Sequence, residues 1–149
     1  MDFHLDTLLN LPNVTVFTAT QVEGFTVLKL ELINEGINCP NCQSYTDTIH
    51  QTRPILVRDL SICGHPVQLH LPRRQFHCSH CKKFPSEPLD FLDKGRNYTR
   101  RYENYVYEKV KELTVEKVSR NEHLSTLQVE KIFQRIAAQK KKTGEILND

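Results

Sequence analysis

The sequence predicts an α+β chain in which a small β-rich module precedes a three-helix unit. Three observations lead there. Short β-branched runs separated by turn residues fill the first half, two C-x-x-C pairs sit among them, and the periodicity turns helical from Tyr98 onward. At 149 residues and 17.4 kDa the chain fits one domain or two small ones. Hydrophobic residues make up 38% and charged residues 26%, with five Gly, seven Pro and no Trp, so small packed units are expected rather than one large core.

Residues 2–11 read as a short helix stopped near Pro12. Residues 14–20 and 25–33 read as strands, with a hairpin turn at Glu23-Gly24. Residues 45–50, 55–60 and 67–71 are further β-like runs, divided by Arg53-Pro54 and by Cys63-Gly64-His65-Pro66. In the last run Val67, Leu69 and Leu71 alternate with Gln68 and His70, the period of a half-buried strand. Pro85 and Pro88 mark a boundary, giving a β-rich module over 1–92 and a helical unit over 93–149.

In the helical unit, Tyr98, Tyr102, Tyr105, Val106, Val110 and Leu113 fall on one face at three- and four-residue steps. Thr114 starts a short second helix carrying Val115 and Val118, and His123-Leu124 fits a turn. Ser125 followed three residues later by Gln128 is a capping-box pattern, flanked by Leu124 and Val129 as a hydrophobic staple would be. The third helix then buries Val129, Ile132, Phe133 and Ile136. It shows Thr126, Leu127, Lys131, Gln134 and Arg135 outward, ahead of Lys140-Lys141-Lys142.

The strongest local signal is Cys39-Pro40-Asn41-Cys42 with Cys78-Ser79-His80-Cys81. A C-x-x-C turn brings two sulfurs to one side, and two such turns complete a tetrahedral site for which zinc or iron is the fitting soft cation. The N-terminus has no basic start and no apolar run, so no secretory signal is expected and a reducing compartment is. Paired disulfides and twin redox motifs fit that setting poorly, and one structural zinc is the expected occupant, with an iron–sulfur cluster as the other thiolate chemistry. The ligands are then Cys39, Cys42, Cys78 and Cys81, and Cys63 is read as a small buried apolar residue. Four thiolates close the shell, and no H-E-x-x-H, deaminase H-x-E, P-loop or dinucleotide fingerprint is present. The metal is therefore read as structural, holding a β module short of core.

The net charge of +2 conceals an asymmetry. Residues 1–38 carry −4, residues 39–93 carry +1, residues 94–142 carry +7, and residues 143–149 carry −2. A basic helical segment on a near-neutral chain points to a polyanion. Short helix, tight turn and capped helix with a polar, basic outer face form a helix-turn-helix pattern, whose second helix enters the major groove. On that reading Ser125, Thr126, Lys131, Gln134 and Arg135 meet DNA from the last helix, with Arg100 and Arg101 beside it. Arg73 and Arg74, with Arg53 and Arg58, would add backbone contacts from the β module or simply be solvated strand residues.

The order of these features resembles the N-terminal part of ISL-three family insertion-sequence transposases, over residues 28–136. The stretches that carry the likeness are Cys39-Pro40-Asn41-Cys42, Val57-Arg58-Asp59-Leu60, Pro66-Val67-Gln68-Leu69 and Arg73-Arg74-Gln75-Phe76-His77-Cys78. Val118-Ser119-Arg120 and Leu124-Ser125 through Val129 resemble the family's helix-turn-helix, with Glu122 and His123 where the family usually has Leu and Gly. The resemblance implies a four-cysteine zinc finger, a helix-turn-helix and recognition of transposon-end-like DNA. The family's RNase H-like catalytic domain does not fit in the thirteen residues after Ile136, so a non-catalytic protein is expected. The expected partners are double-stranded DNA and either full-length transposase or a second copy, with no membrane and no small-molecule substrate. The expected place is the cytoplasm of a bacterium, at the nucleoid. The rival reading is a zinc-ribbon interaction or dimerisation module.

Overall fold

Val67, Leu69 and Leu71 are all fully buried, and they lie on β6 (His65–Phe76), the strand around which the first unit is built. In the computed structural model, which describes residues 3–144, β6 pairs in parallel with β2 (Phe25–Leu32) on one side. On the other side it pairs antiparallel with β5 (Ile49–Ile62). β1 (Val14–Val22) lies outside β2, giving the order β1-β2-β6-β5. The helix α1 (Phe3–Leu9) is tied to β1 through Asp6, whose carboxylate accepts from the Thr15 hydroxyl at 2.8 Å and the Val16 N–H at 2.6 Å. Leu9, Val14, Val16, Leu28, Leu30, Val57, Val67, Leu69, Leu71, Phe91 and Leu92 form the core. On β6 the buried residues are the ones the period-2 pattern marks, whereas β1 and β5 each bury three consecutive residues, Val14–Val16 and Val57–Asp59.

Two expectations are corrected here. Arg53-Pro54 does not divide two strands: β5 is one 14-residue strand that runs through both residues. It can do so because β5 is an edge strand. Pro54 sits opposite Pro72, beyond the Thr26–Lys29 stretch of β2 that pairs with β6, so neither proline deprives a further strand of a donor. The run at 45–50 is likewise two pieces. Tyr45–Thr46 forms β4 and pairs with β3 (Ile37–Asn38) in a separate two-stranded sheet, while Ile49 and His50 open β5.

Cys63 is exposed rather than buried. With Gly64 it makes the two-residue turn between β5 and β6, both at positive φ (52° and 80°), as Glu23 and Gly24 do between β1 and β2. Such a loop matches the twist of the flanking strands and puts its tip in water.

The chain divides into two units between Asn97 and Tyr98. Residues 93–97 belong with the sheet, where the Asn97 carbonyl accepts from the Arg58 N–H at 2.9 Å. The second unit holds α2 (Arg100–Glu112), α3 (Val115–Glu122) and α4 (Thr126–Thr143). Each starts at a hydroxyl cap: Thr99, Thr114 and Ser125 accept from the N–H three residues on. At Ser125 the capping box closes, with the Gln128 side chain accepting back from the Ser125 N–H at 2.9 Å. The buried set is Tyr102, Val106, Tyr107, Val118, Val129, Ile132 and Ile136. Of the expected face of α2, Tyr105 and Leu113 are exposed instead, and the inward positions rotate to include Glu103 and Tyr107. Tyr107 stacks on Phe133 of α4 at 4.9 Å, which selects that face. Among the described residues, no helix is long and apolar enough to cross a membrane.

Candidate metal centre and nucleic-acid interface

The two C-x-x-C segments adopt the same fold. In the first, the Cys39 carbonyl accepts from the Gln43 N–H at 2.8 Å and the Cys39 N–H donates to the Ser44 carbonyl at 2.8 Å. In the second, the Cys78 carbonyl accepts from Lys82 at 2.8 Å and the Cys78 N–H donates to Lys83 at 2.9 Å. Gln43 and Lys82, at equivalent places, both take positive φ (67° and 63°). Nothing in their residue types announces this. The signal was available only from the matched spacing of the two pairs.

The knuckles are held together by the sheet ends. The Thr46 hydroxyl donates to the His77 carbonyl at 2.6 Å, and the His77 N–H donates to the Thr48 carbonyl at 2.8 Å. Gly36 must be glycine here, because a Cβ would fall on the Thr46 carbonyl and the Tyr45 ring. All four sulfurs come within 4.8 Å of one another, with Cys39–Cys81 at 3.7 Å and Cys42–Cys78 at 3.5 Å. A tetrahedral zinc with Zn–S bonds of about 2.3 Å sets its sulfurs about 3.8 Å apart, so the donor set and spacing suit that ion. Neither His77 nor His80 belongs to this group.

Backbone donors prepare the thiolates. The Ser44 N–H and hydroxyl lead in pulling the Cys42 thiol down to about 5. Burial pushes Cys39 up, but the N–H groups of Cys42 and Asn41 and the Cys81 sulfur outweigh it and leave that thiol below its usual value. At Cys81 the Lys83 N–H pulls down, yet burial and the three neighbouring sulfurs prevail and raise it to about 11. Four sulfurs this close cannot all carry charge without a cation among them.

In the second unit, α3 and α4 are joined by a tight turn. His123 takes the left-handed conformation (φ 57°, ψ 41°), and its N–H donates to the Ser119 carbonyl. The Ser119 hydroxyl donates to the Leu124 carbonyl at 2.5 Å, closing the corner. Glu122, a carboxylate that would repel phosphates if it faced out, is buried and accepts from the Tyr102 hydroxyl at 2.9 Å. On α4, Val129, Ile132 and Ile136 point inward while Thr126, Leu127, Lys131, Gln134 and Lys141 are exposed.

Residues 35–81 match the family model described as the zinc-finger of transposase IS204/IS1001/IS1096/IS1165. Residues 87–137 match the helix-turn-helix domain of transposase family ISL3. The chain carries the zinc ribbon and the helix-turn-helix of ISL3-family transposases. Between them the two matches cover about two thirds of it. Neither the curated proteins nor the solved structures searched include a match to the chain. The ISL3 ribbon supplies Cys39, Cys42, Cys78 and Cys81 as one structural zinc site, and the ISL3 helix-turn-helix makes this a zinc-binding, DNA-binding module.

The other residues singled out from the sequence separate into two groups. Thr126, Lys131 and Gln134 stand exposed on α4, and the Ser125 hydroxyl is spent as the α4 cap. Arg100 and Arg101 lie in the first turn of α2. Arg135 is not on the outer face: it is half-buried, and its guanidinium donates to the buried Glu103 carboxylate at 2.6 Å. Arg74 is held by Glu87 through two hydrogen bonds of 2.8 and 2.7 Å and also reaches the Asn34 carbonyl. Arg58 is 7% exposed and lies over the Phe25 ring, so it is neither a solvated strand residue nor a surface cation. Arg73 is half-buried and Arg53 exposed.

Proposed function

We propose that the chain recognises duplex DNA through the N-terminal half of α4, with the zinc ribbon as a structural element and no chemistry at the metal. The observation that carries this is the outward stripe of Leu127, Lys131 and Gln134 on the second helix of a helix-turn-helix, opposite the buried Val129, Ile132 and Ile136. Set in a major groove, Lys131 suits guanine or phosphate, Gln134 suits adenine, and Leu127 suits a thymine methyl. Thr126 and the capped helix start lie where a phosphate would meet backbone N–H groups. Lys140, Lys141 and Lys142 end α4, where positive charge also complements the helix dipole.

The supported activity is recognition. Four thiolates leave the zinc no open position for water or substrate. Transposon-end-like sequences are the target class that the ISL3 likeness favours, with the chain acting alone as a competitor or regulator, or alongside a complete transposase, at the bacterial nucleoid. Binding to duplex pools is the test. Affinity should fall steeply with salt, and Lys131→Glu combined with Gln134→Ala should weaken binding at least tenfold and erase sequence preference. Unchanged affinity and preference in that variant would refute the reading.

A further inference from the structure

Three adjoining depressions on the first unit share their walls. Arg73 and Ser86 line all three, Arg53 and Lys94 each line two, and no Asp or Glu lines any of them. Arg53 and Arg73 are directly opposite one another on β5 and β6. Residues so paired leave the same face of the sheet with Cβ atoms about 5 Å apart, and like charges there destabilise the pair. Among the described residues, Arg53, Arg73 and Lys94 have no carboxylate within ion-pair distance. The adjacent Arg74 shows the alternative, since Glu87 neutralises it through two hydrogen bonds. The fold thus neutralises one arginine of β6 and leaves its neighbour facing a second arginine across the strands.

We infer that this concavity binds the phosphate backbone of a nucleic acid, as a contact surface on the β-rich unit distinct from α4. The chemistry fits a phosphodiester. Two guanidinium groups offer forked N–H pairs to its oxygens, Lys94 adds a point charge, and the exposed Ser86 hydroxyl can donate. Bound phosphate would also relieve the Arg53–Arg73 repulsion, which gives the surface differential affinity for an anion. The contacts carry no base-edge chemistry, so they add affinity without sequence preference. The choice of duplex DNA as the polyanion rests on the reading of α4 above, whereas the site itself does not.

The test uses the full zinc-loaded chain and a duplex long enough for both surfaces. Arg53→Gln, Arg73→Gln and Lys94→Gln together should leave sequence preference intact and make the slope of log affinity against log salt shallower by about 2.7, with Arg53→Gln alone giving about 0.9. Arg53→Gln should leave the thermal midpoint of the free protein unchanged or raise it, where loss of a structural arginine would lower it. A triple variant that keeps its fold and zinc and shows the parent's affinity and salt slope would overturn the inference, whatever happens at α4. If instead the Lys131→Glu, Gln134→Ala variant binds like the parent and the triple variant does not, the α4 reading falls and this one stands. A parent chain that binds no duplex at low salt removes both.

Discussion

The ribbon and the helical unit are both small, and they are held together by different means. Around the knuckles the buried side chains are few, chiefly Cys39, Phe76 and Cys78, and the rest is backbone hydrogen bonding between turns. The helical unit has seven buried apolar residues, three hydroxyl caps and an ion pair from the half-buried Arg135 to the buried Glu103. One region therefore needs a cation to order it, and the other closes with its own side chains. The four-stranded sheet is intermediate, since its core is apolar and lies apart from the sulfur ligands. Metal dependence belongs to one end of the first unit rather than to the whole chain.

The largest effect should come from removing the metal. Structural zinc in small thiolate sites contributes about 10–16 kcal/mol of apparent binding free energy at neutral pH. Metal analysis should find one zinc per chain, and chelation or Cys78→Ser should abolish the order of the knuckles and of the β3–β4 pair. Amide exchange should show α2, α3 and α4 still protected. Loss of helical protection on chelation would break the contrast.

The next effect sharpens the other side. Arg135→Ala removes the guanidinium that donates to the Glu103 carboxylate, 1% exposed, and breaking a pair to a buried charge costs up to about 3–5 kcal/mol. Chemical denaturation of the zinc-loaded protein should show the helical unit destabilised with zinc content unchanged. Restoration of much of that stability in a Glu103→Leu, Arg135→Met double variant would identify the pair as structural rather than DNA-contacting. The smallest effect is local: Ser125→Ala removes the hydroxyl that accepts from the Gln128 N–H, leaves the Gln128 side chain on the backbone N–H of position 125, and should cost about 1 kcal/mol. It should weaken DNA binding only to the extent that the start of α4 frays.

The contrast also explains which features were legible beforehand. Each pair of ligands, the Ser125 cap, the Glu23-Gly24 hairpin turn and the inward Val129, Ile132 and Ile136 of α4 depend on residues within a few positions of one another. Cys39 and Cys42, or Ser125 and Gln128, meet because a single turn of chain brings them together. The misreadings sit where the partner is distant. The face of α2 was misplaced by the aromatic spacing because Tyr107 finds Phe133, and Glu103 finds Arg135, on another helix. Pro54 looked like a break because its tolerance depends on being at a sheet edge.

Local spacing along the chain thus determined a thiolate site for one metal, a β-rich first half and a capped helix after a tight turn. Which positive charges remain available for an anion was decided only by tertiary structure. Arg58, Arg74 and Arg135 look like surface cations in the sequence, and the fold commits each to an aromatic ring or a carboxylate brought from elsewhere in the chain. Arg53, Arg73, Lys94 and Lys131 are left accessible to different degrees. The reason is physical: an ion pair is a property of two places in space, and residue order specifies their meeting only through the packing that folds the chain.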